Sequence, residues 1–404
     1  MIDLAERKEI IHQLKMSIKE VILRTVPEIE SIHMGGSSSR NEETHFVHNG
    51  RLVLLGNFAY IIFTRQKFRA FLSLRKLQSS LNELSRNASL KSSVLSMAVV
   101  LTKPIEISLI PVRSIPAISP DIAVHEIVKN DSLVYGKDMR LRLPSSIPLN
   151  SAVKIVLNRL AGLSLCAKLL LEGSSKNPLA TAIINYESAK GVLASLEAVL
   201  VTEGKYLPSY RERIAFWPRL VESNPDLATA LPELSRNLEV AAKIRATPDA
   251  AGIDPGKSWI NSRNLLLSTL DYLGTYKKLS INSISLDMPA FLNYFYLYSN
   301  GRLSLRNLVA ASKRRTGYYI AMIEGVKTLN DKLQLDHQQT EKFASSCRHV
   351  GISADRNSGM QRYLALCAKI NLGCTRFELE WIDQRTQVIG QEKLLSATGG
   401  EAVC

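Results

Sequence analysis

Residues Glu30 to Thr64 constrain the fold of this chain more than any other stretch. They read in order as strand, glycine-serine turn, polar excursion and second strand. Ser31-Ile32-His33-Met34 is a short strand that runs into Gly35-Gly36-Ser37-Ser38-Ser39-Arg40. Paired glycines let backbone approach a ligand closely, and serines add hydroxyl and amide donors. Asn49-Gly50 is a hairpin turn signal. Arg51 to Leu55 and Phe58 to Thr64 then form an apolar stretch with aromatic and β-branched residues, the expected second strand. Strands here and helical periodicity elsewhere predict an α+β protein.

Leu4 to Arg24 is expected to be helical, because Leu4, Ile11, Leu14, Ile18, Val21 and Ile22 share a face and Pro27 stops it. Arg65 to Ser96 is expected to be a basic helix. It carries Arg65, Lys67, Arg69, Arg75, Lys76, Arg86 and Lys91 against one acid, Glu83, with Phe68 and Phe71 among them. Two readings fit: a solvated helix packed on the sheet, or a polyanion-binding face centred on Arg69, Arg75 and Lys76. Pro104 to Pro111 is a third strand. From Leu149 the period is helical: Ala152 to Glu172, then Pro178 to Thr202, then a basic, aromatic link from Lys205 to Arg213. Ala246 to Gly256 reads as a linker. A last helical region runs from Ser258 to Gln387, with Asn300-Gly301-Arg302 as a turn, Lys313-Arg314-Arg315 as solvated surface and Ser396 to Cys404 as a frayed tail. The expected domains are 1–145, a mixed sheet with helices; 146–247, helical; and 257–395, helical.

The five cysteines, Cys166, Cys347, Cys367, Cys374 and Cys404, are scattered and form no C-x-x-C pair. That favours a reducing cytoplasm and argues against a disulfide framework or a zinc site. The charged, amphipathic first residues do not form a signal peptide. The apolar run Ala152 to Leu171 is interrupted by Lys154, Arg159 and Lys168, so a buried helix is expected there, with no membrane partner. A net charge of +14 suits nucleotides, nucleic acid or acidic glycans as partners, and equally a basic solvated surface. No Walker motif, dinucleotide fingerprint, nucleophile elbow or His-Glu-x-x-His occurs. Arg348 and His349 are adjacent, which lacks the spacing of the helical nucleases. His45 and His48 are expected in a surface loop, and His33 as a packed or capping histidine.

Gly36-Ser37-Ser38-Ser39-Arg40-Asn41-Glu42, then Glu106-Ile107-Ser108 on the third strand, then Leu133-Val134-Tyr135-Gly136 resemble the polymerase-β-like nucleotidyltransferases. The likeness is to a bacterial and archaeal branch whose turn reads Gly-Ser-x-(Gly/Ser)-Arg-Gly-Glu, and it spans residues 5 to 145. The resemblance implies a nucleoside triphosphate held by Gly36, Ser37 and Arg40. It also implies metal ligands at Asn57, Ala59 and Glu106, where the family carries an acid-x-acid pair and a third acid. Residues i and i+2 of a strand face the same way, so such a pair puts two carboxylates on one side. Here Asn57 offers one neutral oxygen and Ala59 none, leaving Glu106 as the sole acid and catalytic position. Magnesium binding is then expected to be weak or absent, and nucleotidyl transfer lost or weakened. The acceptor stays open among antibiotic, sugar phosphate, protein hydroxyl and RNA end. Two other readings stand beside this one. The chain is a non-enzymatic scaffold or nucleic-acid-binding protein, or it is an active enzyme with reassigned metal ligands, Glu42 and Glu43 being the first suspects. Tyr186, Lys190, Tyr206, Ser209, Tyr210 and Arg213 also match a phrase in relatives of the branch, without an assigned role.

Overall fold

The structure, a computed structural model, describes residues 3–89, 98–102, 105–118, 120–171, 177–248, 252–280, 319–320, 323–334 and 336–349. The chain divides into two compact units, residues 1–148 and a second beginning at Leu149. The class is α+β, with strands in the first unit and helices in the described part of the second.

The first unit begins with α1 (Leu4–Thr25), capped by the Asp3 carboxylate on the Glu6 amide. β1 (Ile29–Gly35) passes into a 3₁₀ turn, Gly36–Arg40. β2 (His45–His48) and β3 (Arg51–Leu54) form a hairpin with His48 opposite Arg51. Its two loop residues, Asn49 and Gly50, have φ 47° and 69°, the left-handed pair that such a loop demands. β4 (Ala59–Thr64) leads to α2 (Lys67–Ser89), then β5 (Val99–Leu101), β6 (Glu106–Pro111), α3 (Ile122–Lys129) and β7 (Leu133–Gly136). One sheet runs β6-β4-β1-β7 and a smaller one β2-β3-β5.

Three expectations change here. The apolar stretch from Arg51 to Thr64 is two strands in two sheets, because Leu55 to Phe58 breaks the run and each half pairs elsewhere. His45 and His48 lie on strand β2, half-buried, not in a surface loop. Val99–Leu101 is a strand parallel to β3, which periodicity alone did not mark. The end of the basic helix expected at Ser96, with Lys91, lies outside the described residues.

The four-stranded sheet buries both faces, as strict alternation requires. Ile32 and Met34 of β1 and Tyr60 and Ile62 of β4 pack with Ile10, Leu14, Ile18 and Ile22 of α1 and Leu74, Leu77 and Leu81 of α2. The opposite parity, Phe63 with half-buried Ile61, packs with Val124 and Ile127 of α3, Ile115 and Met139. His33 has that second parity and is fully buried, edge-on to Phe63 at 5.7 Å. Ser132 donates its hydroxyl to the Ile127 carbonyl (3.0 Å), so it must accept from His33 Nδ1 (3.0 Å), while Nε2 accepts the Met139 amide (3.4 Å). Both ring nitrogens are thus satisfied in the neutral form alone. Burial holds the imidazole below its ordinary value; Asp138 opposes that shift and Arg140 adds to it.

A pH dependence follows. Below pH 6.5 the unfolded chain protonates His33 and the folded chain does not, so the unfolded state binds more protons and stability falls as pH falls. Half-buried His45 is shifted the same way by burial. The thermal midpoint should therefore drop between pH 7.5 and 5. His33→Leu should lower it at every pH but flatten the slope, leaving the His45 part. An unchanged slope in the variant would remove His33 as its source.

The second unit is helical where described. α4 (Ser151–Leu171), α5 (Pro178–Thr202), α6 (Tyr210–Ser223), α7 (Asp226–Ala230), α8 (Leu234–Ala246), α9 (Pro255–Thr275) and α10 (His337–His349) follow in order. α5 is buried around nearly its whole circumference, the property of a central helix, and α4, α6, α8 and α9 pack against it. Trp259 of α9 is fully buried and donates its indole N–H to the Leu163 carbonyl of α4 (2.8 Å). The boundary expected between residues 247 and 257 does not separate domains here. α9 packs against the same core as α4 and α5, and Gly191 of α5 leaves space there for the Ser262 hydroxyl of α9. The Asn300 turn, the Lys313 cluster and the tail from Ser396 lie outside the described residues. Among the described residues, no helix is long and apolar enough to cross a membrane.

Candidate functional site

The candidate site is built on one row across the sheet. Gly35, the last residue of β1, stands opposite Ala59, the first of β4. Ala59 stands opposite Glu106, the first of β6. Residues directly opposite one another in a sheet project to the same face, so Gly35, Ala59 and Glu106 share the α3 face at one end of the strands. Asn57 lies just before β4. Phe58 and Tyr60 are 2% and 1% exposed, whereas Asn57 and Ala59 are half-buried and Glu106 is exposed, so the parity continues through Asn57. The Glu106 amide donates to the Phe58 carbonyl (2.8 Å) and fixes this register. The sequence-predicted positions 36, 37, 57, 59 and 106 therefore converge on one end of one sheet.

The turn after β1 is internally braced. Gly36 has φ +67°, and nothing lies within 4 Å of where a Cβ would stand. Ser38 donates its hydroxyl to the Asn57 carbonyl (3.2 Å), tying the turn to the segment just before β4. Ser39 donates to the Gly36 carbonyl (2.9 Å). Of the three serines, Ser37 alone makes no side-chain hydrogen bond among the described residues. Lys15 of α1 donates to the Ser38 carbonyl (2.9 Å) and to Asn41 Oδ1 (3.2 Å), and pairs with Glu43. Sequence reading missed Lys15. Its signal was a cation next to Leu14, at the margin of the buried stripe, where a side chain is held against the core.

Arg40 takes a different place from the one expected. Its Nε donates to Glu42 (2.9 Å) and its Nη1 meets Glu126 of α3 (3.1 Å), with the side chain only 11% exposed. Two carboxylates already share this guanidinium, so it secures the turn to α3, and a phosphate would have to displace one of them. Glu42 and Glu43 are engaged in the same way, one with Arg40 and one with Lys15, so a cation would have to compete with these bases for them. Tyr60 is buried beneath them, its hydroxyl without a hydrogen bond among the described residues; burial, with Glu43 nearby, pushes its phenol up. The resident cation pair that the resemblance implies does not fit the residues present: one carboxylate, one amide and one methyl occupy the three positions.

In the second unit, Tyr186, Lys190, Tyr206, Ser209, Tyr210 and Arg213 lie on and around α5 and α6. Arg213 donates to the Tyr206 hydroxyl (2.8 Å) and pairs with Glu197 (2.9 Å). Ser209 caps α6 through the Arg211 amide (3.2 Å). Lys190 lies 5.3 Å from the centre of the Tyr186 ring. Arg245 of α8, unmarked in the sequence, lies over both Tyr186 (5.3 Å) and Tyr210 (4.6 Å). This stack joins α5, α6 and α8. A cleft of 270 Å³ in the same unit is lined by Val153, Leu267, Leu270, Leu279 and Ile323, with Asp271 and Lys327.

No family model, curated protein or solved structure matches the chain.

Proposed function

We propose that this chain is a nucleotidyltransferase-type protein that binds a nucleoside triphosphate at the Gly36-Ser37 turn and has lost or weakened nucleotidyl transfer. The observation that carries the reading is the register Gly35–Ala59–Glu106, with the Gly36-Ser37 turn directly after the first of these. That is where such a fold needs a phosphate turn beside its acids, and two of the three acids are replaced. The phosphates would meet backbone amides of the turn and the Ser37 hydroxyl. Lys15 and Arg40 are neutralised by Glu43, Glu42 and Glu126, so they add little attraction. Affinity is accordingly modest, with a dissociation constant between about 10 µM and 1 mM. With Glu106 as the one carboxylate on the row, magnesium should change that constant by less than about tenfold.

Calorimetric titration with ATP, GTP, CTP and UTP, each with and without magnesium, tests this. At least one triphosphate should give heat, and Ser37→Ala should weaken it. No heat from any of the four, with the protein folded, would exclude the site.

A further inference from the structure

α2 carries a feature that a nucleotide site does not use. Between Arg51 and Lys91 eight basic residues face the single acid Glu83, whereas the rest of residues 1–148 is close to balanced. The helix buries Ala70, Leu74, Leu77 and Leu81 in the core. The opposite side is a stripe at helical spacing: Arg69, Leu72, Lys76, Ser79, Glu83 and Arg86, with Arg75 beside it, all exposed. Among the described residues, Arg69, Arg75, Lys76 and Arg86 have no acidic partner. Leu72 is 55% exposed in their midst. From Arg69 to Arg86 the stripe is about 25 Å long at 1.5 Å per residue.

We infer that this stripe is a docking surface for the phosphate backbone of duplex DNA, independent of base sequence. Charge complementarity carries the choice. Four cations along one exposed side of the helix match a dense line of negative charge, and a duplex presents one charge per ~1.7 Å of axis, twice that of a single strand. Single strands are held by stacking on aromatic rings, and the described side chains of the stripe include none. Four phosphate contacts predict a slope of about −3.6 in log K against log salt concentration, which is about a hundredfold loss between 50 and 200 mM salt. The inference is independent of the nucleotide reading, because no residue is shared between them.

The test is fluorescence anisotropy with a labelled 20-base-pair mixed-sequence DNA duplex at several salt concentrations. Arg69→Glu with Arg75→Glu and Lys76→Glu should abolish binding. Arg69→Gln with Arg75→Gln and Lys76→Gln should cut the slope to about −0.9. A charge-matched control, Lys8→Glu with Arg113→Glu and Lys129→Glu, reverses three exposed cations elsewhere on the unit and should retain most of the binding. Thermal unfolding confirms that each variant is folded. Equal losses in both triple reversals would reduce the effect to net charge and overturn the inference. So would tighter binding of a single strand or of an RNA duplex, or binding of heparin without DNA.

Discussion

Asn57→Asp combined with Ala59→Asp should create magnesium-dependent pyrophosphate release that the parent protein lacks or barely shows. The reason is positional. Ala59 and Glu106 are opposite one another in a parallel pair, which puts their Cβ atoms about 5 Å apart. On the other side stands Gly35; a Cβ built on it would lie 3.9 Å from that of Ala59, so a carboxylate at 59 finds room. Asn57 has the same parity and is bound through its backbone to the Gly36–Arg40 turn by Ser38. Two new carboxylates would face the open end of the strands, where a bound cation offsets their repulsion. If the missing pair costs about 4 kcal/mol of transition-state stabilisation, the double variant gains roughly a thousandfold in rate. A pyrophosphate-release screen over four triphosphates and a panel of acceptors, run on parent and variant together, measures it. Equal turnover in the two would place the metal site elsewhere. A variant that binds magnesium no better than the parent would show that positions 57 and 59 do not share the face.

Gly136→Ala should destabilise the first unit by about 3 kcal/mol or more. Gly136 ends β7 at φ +80°, and a Cβ there would lie 2.0 Å from the Glu30 carbonyl oxygen and 2.9 Å from its carbon. Both are backbone atoms, so no side chain can swing aside. The same carbonyl accepts the Lys137 amide (3.0 Å), which holds β7 against β1. Gly50→Ala is the control: φ is +69°, but nothing lies within 4 Å of the added carbon, so only the left-handed cost of about 1–2 kcal/mol applies. Urea unfolding of parent and both variants separates the two. Similar losses for Gly136→Ala and Gly50→Ala would mean that the β7 contact yields.

The large elements were legible because their physics is local. The α1 stripe, the Asn49-Gly50 turn and the polar-apolar alternation through Phe58 and Tyr60 each declare themselves within a few residues. That Ala59 and Glu106 lie near the Gly36-Ser37 turn was expected from the resemblance alone; strand register sets Gly35, Ala59 and Glu106 in one row, with the turn directly after Gly35. The misjudged parts depend on partners distant in sequence. Nothing around Arg40 shows that Glu126, on a helix far along the chain, claims its guanidinium. Lys15 and Arg245 likewise take their roles from residues brought near only by folding. The Arg51 to Thr64 run was divided between two sheets because β5, too short to show a period, gave β3 a second neighbour. The 247–257 linker, rich in proline and glycine, looked like a domain boundary, yet the helix after it completes the core around α5.

The proposed function requires a triphosphate at the Gly36-Ser37 turn. The most direct measurement is a crystal of the protein soaked in a nonhydrolysable triphosphate with magnesium. Phosphate density is expected against the backbone amides of Gly36 and Ser37 and the Ser37 hydroxyl, on the face shared by Ala59 and Glu106. Arg40 should remain bound to Glu42 and Glu126. Density at any other place, or none beside Ser37 at saturating nucleotide in an unobstructed site, would contradict it.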